Sequence, residues 1–380
     1  MPYTWLATEI LTGLIIGDLT DFQIDTVKRT LMAYDTAQGG LPLPTAPENW
    51  QRIVLPKASC LHLVDGDTPV WGGMVIESEQ TSDDTIPVSV ATIESYFGDR
   101  YVGDVSYSQV DQNLIVKDLV ERFAARGSNG GIPIRVVVLG AAGPKRDRNY
   151  TDRSGKTLYS ALRELAGVQG GPEWTVEWEW LHEPERIVPV LYVGSRVGVA
   201  PASGLLPAAV FEMPGPVETV SMVNTYKSGT GANDVMAYST ADGDVQPQSQ
   251  HVVTRDPERP TIEFRWSPSS SITQISTLDS HAKAKAVELA RGSTVAALTA
   301  VTTNAPRVGV EWSIGDDVGY VIGGTVVERP GVTHESVPGF PGGLTGVARA
   351  IGWELTFGEV DKITPVLQNG EELGDSSDAG

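Results

Sequence analysis

The run from Cys60 to Ile76, Cys-Leu-His-Leu-Val-Asp-Gly-Asp-Thr-Pro-Val-Trp-Gly-Gly-Met-Val-Ile, constrains the fold of this chain more than any other stretch. Two alternating apolar segments flank Asp65-Gly66-Asp67, and the spacing reads as a β-hairpin whose turn takes its positive φ from the Asp-Gly step. The second strand carries Trp71 followed by Gly72 and Gly73. Paired glycines inside a strand give up packing and backbone order, so they predict a bulge or another backbone in close approach. That placement suits an assembly surface better than an isolated domain. Trp71, Gly72 and Gly73 are therefore the candidate assembly or packing residues.

A chain of 380 residues has room for two or three domains with real cores. With 41% hydrophobic and 20% charged residues, global disorder is excluded. The 41 Gly and 25 Pro, among many Thr, Ser and Val, point to β structure with frequent turns. No apolar run approaches the roughly 18 residues of a membrane helix. The opening Met-Pro-Tyr-Thr-Trp lacks the basic start and apolar core of a signal peptide. A single cysteine, Cys60, excludes an intramolecular disulfide and reads as a buried strand residue. Lys and Arg number 28 against 48 Asp and Glu, a net charge of −20 that disfavours binding to nucleic acid. The basic cluster Lys145-Arg146-Asp147-Arg148 reads as a short solvated loop. Repulsion still suits a conduit, which must pass DNA without holding it.

Residues 1–100 read as strands: Tyr3 to Ala7, Leu14 to Leu19, Ile24 to Leu31, Ile53 to Val64, Val70 to Glu77 and Ile86 to Ile93. Leu41-Pro-Leu-Pro-Thr-Ala-Pro reads as an extended connection. From Tyr101 the pattern changes to α+β. Asp111 caps a helix that ends by Gly127, and a second helix runs from about Lys156 to Ala166. Next, Trp174-Thr-Val-Glu-Trp-Glu-Trp180 alternates strictly, with Ile187 to Val193 as hairpin partner. β patterning returns from Phe211, interrupted by one helix at about 280–291. The expected domains are 1–100, 101–205 and 206–367, with 368–380 an acidic flexible tail.

No catalytic, cofactor or metal site emerges. Gly155-Lys156-Thr157 resembles the end of a phosphate loop, but position 150 is Tyr where that loop needs Gly, so the segment reads as a helix start capped by Ser154. The five His and one Cys include no metal-ligand spacing, and His182-Glu183 and His334-Glu335 read as surface residues. No nucleophile elbow occurs. Glu173, Glu177 and Glu179 could suggest a glycosidase, yet Glu177 and Glu179 point away from the Trp face. Trp174, Trp178 and Trp180 read first as a core-facing stripe. Their alternative is a sugar-stacking platform, the mark of a carbohydrate-binding adhesin.

Several phrases in fixed order resemble a known family: Thr4-Trp-Leu-Ala-Thr8 with Ile15-Ile-Gly-Asp-Leu19, Val70-Trp-Gly-Gly73, Ser95-Tyr-Phe-Gly-Asp-Arg-Tyr-Val102, Gly155-Lys-Thr-Leu-Tyr-Ser-Ala-Leu162, Gly170-Gly-Pro-Glu-Trp174, Gly352-Trp-Glu-Leu355 and Ile363-Thr-Pro-Val-Leu367. Together they resemble minor tail proteins of long, non-contractile-tailed phages of actinobacteria. The resemblance implies a tail-tip baseplate hub: a homotrimer whose chains each give two β-barrel-like tube domains, with an inserted α+β domain outside. It implies no enzyme activity and no cofactor. The implied partners are a distal tail or tail tube protein, the tape-measure protein, and other minor tail proteins or receptor-binding fibres. It places the protein at the virion tail tip, after synthesis in the host cytoplasm.

Overall fold

The computed structural model describes residues 3–127, 130–168, 170–202, 205, 207–240, 246–268, 272, 274–323 and 337–368. Contacts divide the chain into two compact units. One comprises Met1–Thr219 with Leu298–Gly380, the other Val220–Ala297. They do not cut the chain at 100 and 205, because the segments expected as separate domains share hydrophobic contacts and strand pairings.

In the larger unit, the opening hairpin forms between strands Ser59–Asp65 and Thr68–Ser78, with Gly66 at φ +63° in the turn. It lies at the centre of a seven-stranded antiparallel sheet. The order is Ile15–Asp18, Thr4–Glu9, Ser59–Asp65, Thr68–Ser78, Thr85–Thr92, Thr36–Pro42, Gln23–Ile24. Every residue of Ser59–Asp65 is buried, so both faces of the sheet are covered there. Trp50–Ile53 is a helical turn, and the strand expected from Ile53 begins at Ser59, after Lys57 adopts φ +57°. Thr36–Pro42 is a strand that its weak apolar pattern concealed; a side chain at Gly39 would meet the Gln23 carbonyl at 2.6 Å.

The expected strand Ile24 to Leu31 is split at Asp25. Gln23–Ile24 pairs with Thr36–Pro42 in the first sheet, whereas Thr26–Thr30 pairs with the long strand Leu344–Thr356. Leu344–Thr356 belongs to a second sheet with Val210–Met213, Asp317–Ile322, Lys362–Gln368, Ser293–Val301 and Val217–Thr225. An N-terminal strand is thus part of a C-terminal sheet.

Between the sheets in sequence lies the α+β segment. Helix Gln112–Phe123 starts where the Asp111 carboxylate accepts from Asn113 N at 2.8 Å and Gly143 N at 3.0 Å. Helix Leu158–Ala166 is capped by Thr157, whose hydroxyl accepts from Ser160 N, and not by Ser154, which precedes Gly155 at φ +57°. The basic cluster is a strand, Lys145–Tyr150, paired with Val105–Asp111, because alternation continues through its charges. Glu173–His182 and Glu185–Gly194 form the Trp hairpin, joined in parallel by Arg135–Val138. Both helices and the hairpin share one core with Cys60, Met74, Ile93 and Phe97 of the first-sheet segment.

The smaller unit packs helix Ile275–Leu289 on a three-stranded mixed sheet of Val252–Val253, Asp234–Ala237 and Glu263–Trp266. Leu278, Ala282, Ala286 and Leu289 form its inward stripe. The helix starts five residues before the sequence reading placed it. Residues 369–380 and His334-Glu335 lie outside the described residues.

Candidate functional site

Side chains alternate along Thr68–Ser78, so Trp71 and Gly72 face opposite sides of the sheet. Trp71 is buried edge-to-face on Trp5, with ring centroids 5.9 Å apart, and Trp5 packs on Phe22 at 5.2 Å. Its Nε1 donates to the Lys28 carbonyl at 2.9 Å, tying the first sheet to the Thr26–Thr30 strand of the second. Trp71→Phe removes that bond and part of the ring, and should lower unfolding stability by about 1–2 kcal/mol. Urea denaturation checks this; an unchanged midpoint would show the bond to be dispensable.

On the opposite face, Gly72 leaves room for a ring. A Cβ there would lie 2.5 Å from Trp178 Nε1 and 2.6 Å from His62 Nδ1. Trp178 Nε1 instead donates to the Gly72 carbonyl at 3.3 Å. The segment that approaches Gly72 is therefore the Trp strand of the same chain. Gly73 faces the Trp71 side, where a Cβ would meet Val90 Cγ1 at 2.7 Å and the Ala91 carbonyl at 2.8 Å. His62 stands edge-on to Trp178, centroids 4.4 Å apart, and its Nε2 shares a 2.8 Å hydrogen bond with Thr8 Oγ1. Burial pushes its pKa down to about 3, so the ring is neutral at pH 7.

The other face of the Trp strand is held by arginines. Arg29, buried on the Thr26–Thr30 strand, donates to Glu177 Oε2 at 2.6 Å, to Thr175 Oγ1 at 3.0 Å and to the Val176 carbonyl. Its guanidinium also lies 3.7 Å from buried Glu94. Burial opposes the Arg29 charge, but Glu177 and Glu94 outweigh it and the net shift is upward. Burial raises the Glu94 carboxyl, with Arg29 pulling it back. Arg349, from the long second-sheet strand, donates to both Glu173 oxygens, to the Gly315 carbonyl at 3.0 Å and to Val197 O at 2.8 Å. At the hairpin turn, Arg307 Nε donates to Asp65 Oδ2 at 2.8 Å. These contacts form one seam, in which the Trp strand is packed between the first sheet and two arginines of the second.

The seam joins two features that the sequence kept apart, the Trp71-Gly72-Gly73 step and the Trp stripe. It also corrects the sugar-platform alternative. Trp174 and Trp178 are buried and Trp180 is half-buried against His182, so they offer no open stacking face. Glu173, Glu177 and Glu179 are paired with Arg349, Arg29 and Arg135 instead of standing free as acid and base. Lys156 donates to Glu164 at 2.6 Å, and His182 and Glu183 are exposed. Among the described residues, no group of three or more His, Cys, Asp or Glu could hold a metal ion. None of their helices is long and apolar enough to cross a membrane. Arg29, Arg349 and His62 were missed. The available signal was a charged or ionisable residue inside an apolar alternating strand, as in Ala348-Arg-Ala-Ile351.

No protein-family model matches the chain, and no curated protein matches its sequence. Solved structures do. The 43 kDa tail protein of prophage MuSo2 from Shewanella oneidensis superposes with a TM-score of 0.60 at 12% identity, over 96% of this chain and 98% of that one. The fold is that of phage tail proteins. A tail protein from Neisseria meningitidis MC58 gives a TM-score of 0.57 at 13% identity, covering 97% of each chain. A chain of the lidded Francisella PdpA–VgrG complex gives 0.51 at 6% identity, over 97% of this chain and 52% of that longer one. The β-rich α+β tail-protein fold thus spans both large sheets and the segment between them.

Proposed function

We propose that this chain is a structural protein of the phage tail tip, three copies of which form a hub ring. The carrying observation is the likeness to the MuSo2 tail protein over 96% of one chain and 98% of the other, at a TM-score of 0.60. In this reading the two sheets are the tube domains. Six of them in a trimer close the tail tube and adapt its sixfold symmetry to threefold, beneath the tape-measure protein and beside a distal tail or tube protein. DNA passes through the ring on infection. The role needs no catalysis and no cofactor.

Charge distribution supports this reading. Residues 1–100 carry 14 Asp and Glu against 5 Lys and Arg, whereas 101–205 carry 12 of each. The acidic excess falls on both tube segments, since residues 206–367 carry 18 Asp and Glu against 11 Lys and Arg, and the segment read as external is balanced. An acidic lumen repels DNA phosphates and lets the duplex slide. Immunogold labelling of intact virions tests the location. Label confined to the tail tip is expected; label along the shaft, on the capsid or on no virion would refute it.

A further inference from the structure

We propose that the joint between the first sheet and the Trp hairpin is an acid-sensitive latch, with His62 as its trigger. The geometry is specific. His62 is fully buried on the central strand Ser59–Asp65, and among the described residues its Nδ1 has no hydrogen-bond partner. Three elements press on the ring. The Thr4–Glu9 strand contributes uncharged Thr8, the Thr68–Ser78 strand contributes Gly72, and the hairpin contributes Trp178. On its own strand and face stands Cys60, whose thiol burial pushes upward and keeps neutral. No carboxylate is among these partners to accept an imidazolium.

A proton added to His62 would therefore be a buried charge with no carboxylate partner, and parting the ring from Trp178 would stabilise it by admitting water to Nδ1. The sign follows from linkage. Folded His62 holds its proton only below about pH 3, whereas the opened form takes one below about 6.5. Opening of the hairpin is thus favoured as pH falls between these values, by up to about tenfold per pH unit.

The test is hydrogen exchange of residues 173–194, corrected for intrinsic rates, from pH 7.5 to 4.5 in the full chain. Wild type is expected to lose protection about tenfold per unit below pH 6.5. His62→Gln, which keeps a partner for Thr8 but cannot charge, is expected to stay flat to about pH 5. Should that variant misfold, NMR titration of His62 in the wild type serves instead, with the ring staying neutral in the closed state while its exchange broadening grows. Wild-type protection constant to pH 5, an identical slope in His62→Gln, or a ring that charges in the closed state would overturn the latch.

Discussion

Gly72→Ala should lower unfolding stability by about 3 kcal/mol, at the upper end for overpacking, although it adds a single methyl group. The position has an ordinary strand conformation, so the cost is spatial. The new Cβ would sit 2.5 Å from the indole nitrogen of Trp178 and 2.6 Å from the ring nitrogen of His62. Both neighbours are rigid, buried rings, and neither can swing into solvent. Gly66→Ala is the control, since Gly66 has φ +63° and no described residue lies within 4 Å of its Cβ position; it should cost about 1 kcal/mol from the left-handed backbone alone. In a Trp178→Leu background, the Gly72→Ala cost should shrink by at least about 0.5 kcal/mol, the coupling expected of residues in contact. Guanidinium titrations of the five proteins (wild type, Gly72→Ala, Gly66→Ala, Trp178→Leu and Gly72→Ala with Trp178→Leu) measure it. If Gly72→Ala proves no costlier than Gly66→Ala, the close approach described for the seam is wrong.

The second large effect is at Arg29. Arg29→Met keeps the length of the side chain but removes the donors shared by Glu177, Thr175 and the Val176 carbonyl, together with the charge beside Glu94. Breaking one side of a buried ion pair costs about 3–5 kcal/mol, and here it leaves buried Glu94 and half-buried Glu177 without their cation. Arg29→Lys should recover only part of this, since an ammonium cannot reproduce the fork that spans a carboxylate, a hydroxyl and a carbonyl. Thermal unfolding of the purified variants reads the order wild type, Lys, Met. Equal stability of wild type and Arg29→Met would mean that the arginine is a bystander of packing already fixed by the tryptophans.

These two residues also show what the sequence revealed and what it hid. Alternation was enough to place the Asp65-Gly66-Asp67 hairpin, the Trp strand and its partner, since period-two patterning states directly which residues face a core. Asp111 was visible as a cap because its chemistry is local. Arg29 was not visible, because Thr26-Val-Lys-Arg-Thr30 reads as a half-solvated strand until Glu177, 148 positions away, is brought beside it. The split at Asp25 was hidden for the same reason: a continuous strand gives no local sign that its halves serve different sheets. Gly72 and Gly73 announced a close approach, and only the tertiary packing shows that Trp178 fills the space beside the first of them.

The central claim is a threefold hub, and the mass of the isolated protein in solution tests it most directly. Light scattering across a dilution series should find one species at three times the 40.6 kDa chain mass, with threefold rings around an open channel in electron micrographs of that fraction. A stable monomer at every concentration, or a dimer without a channel, would contradict it.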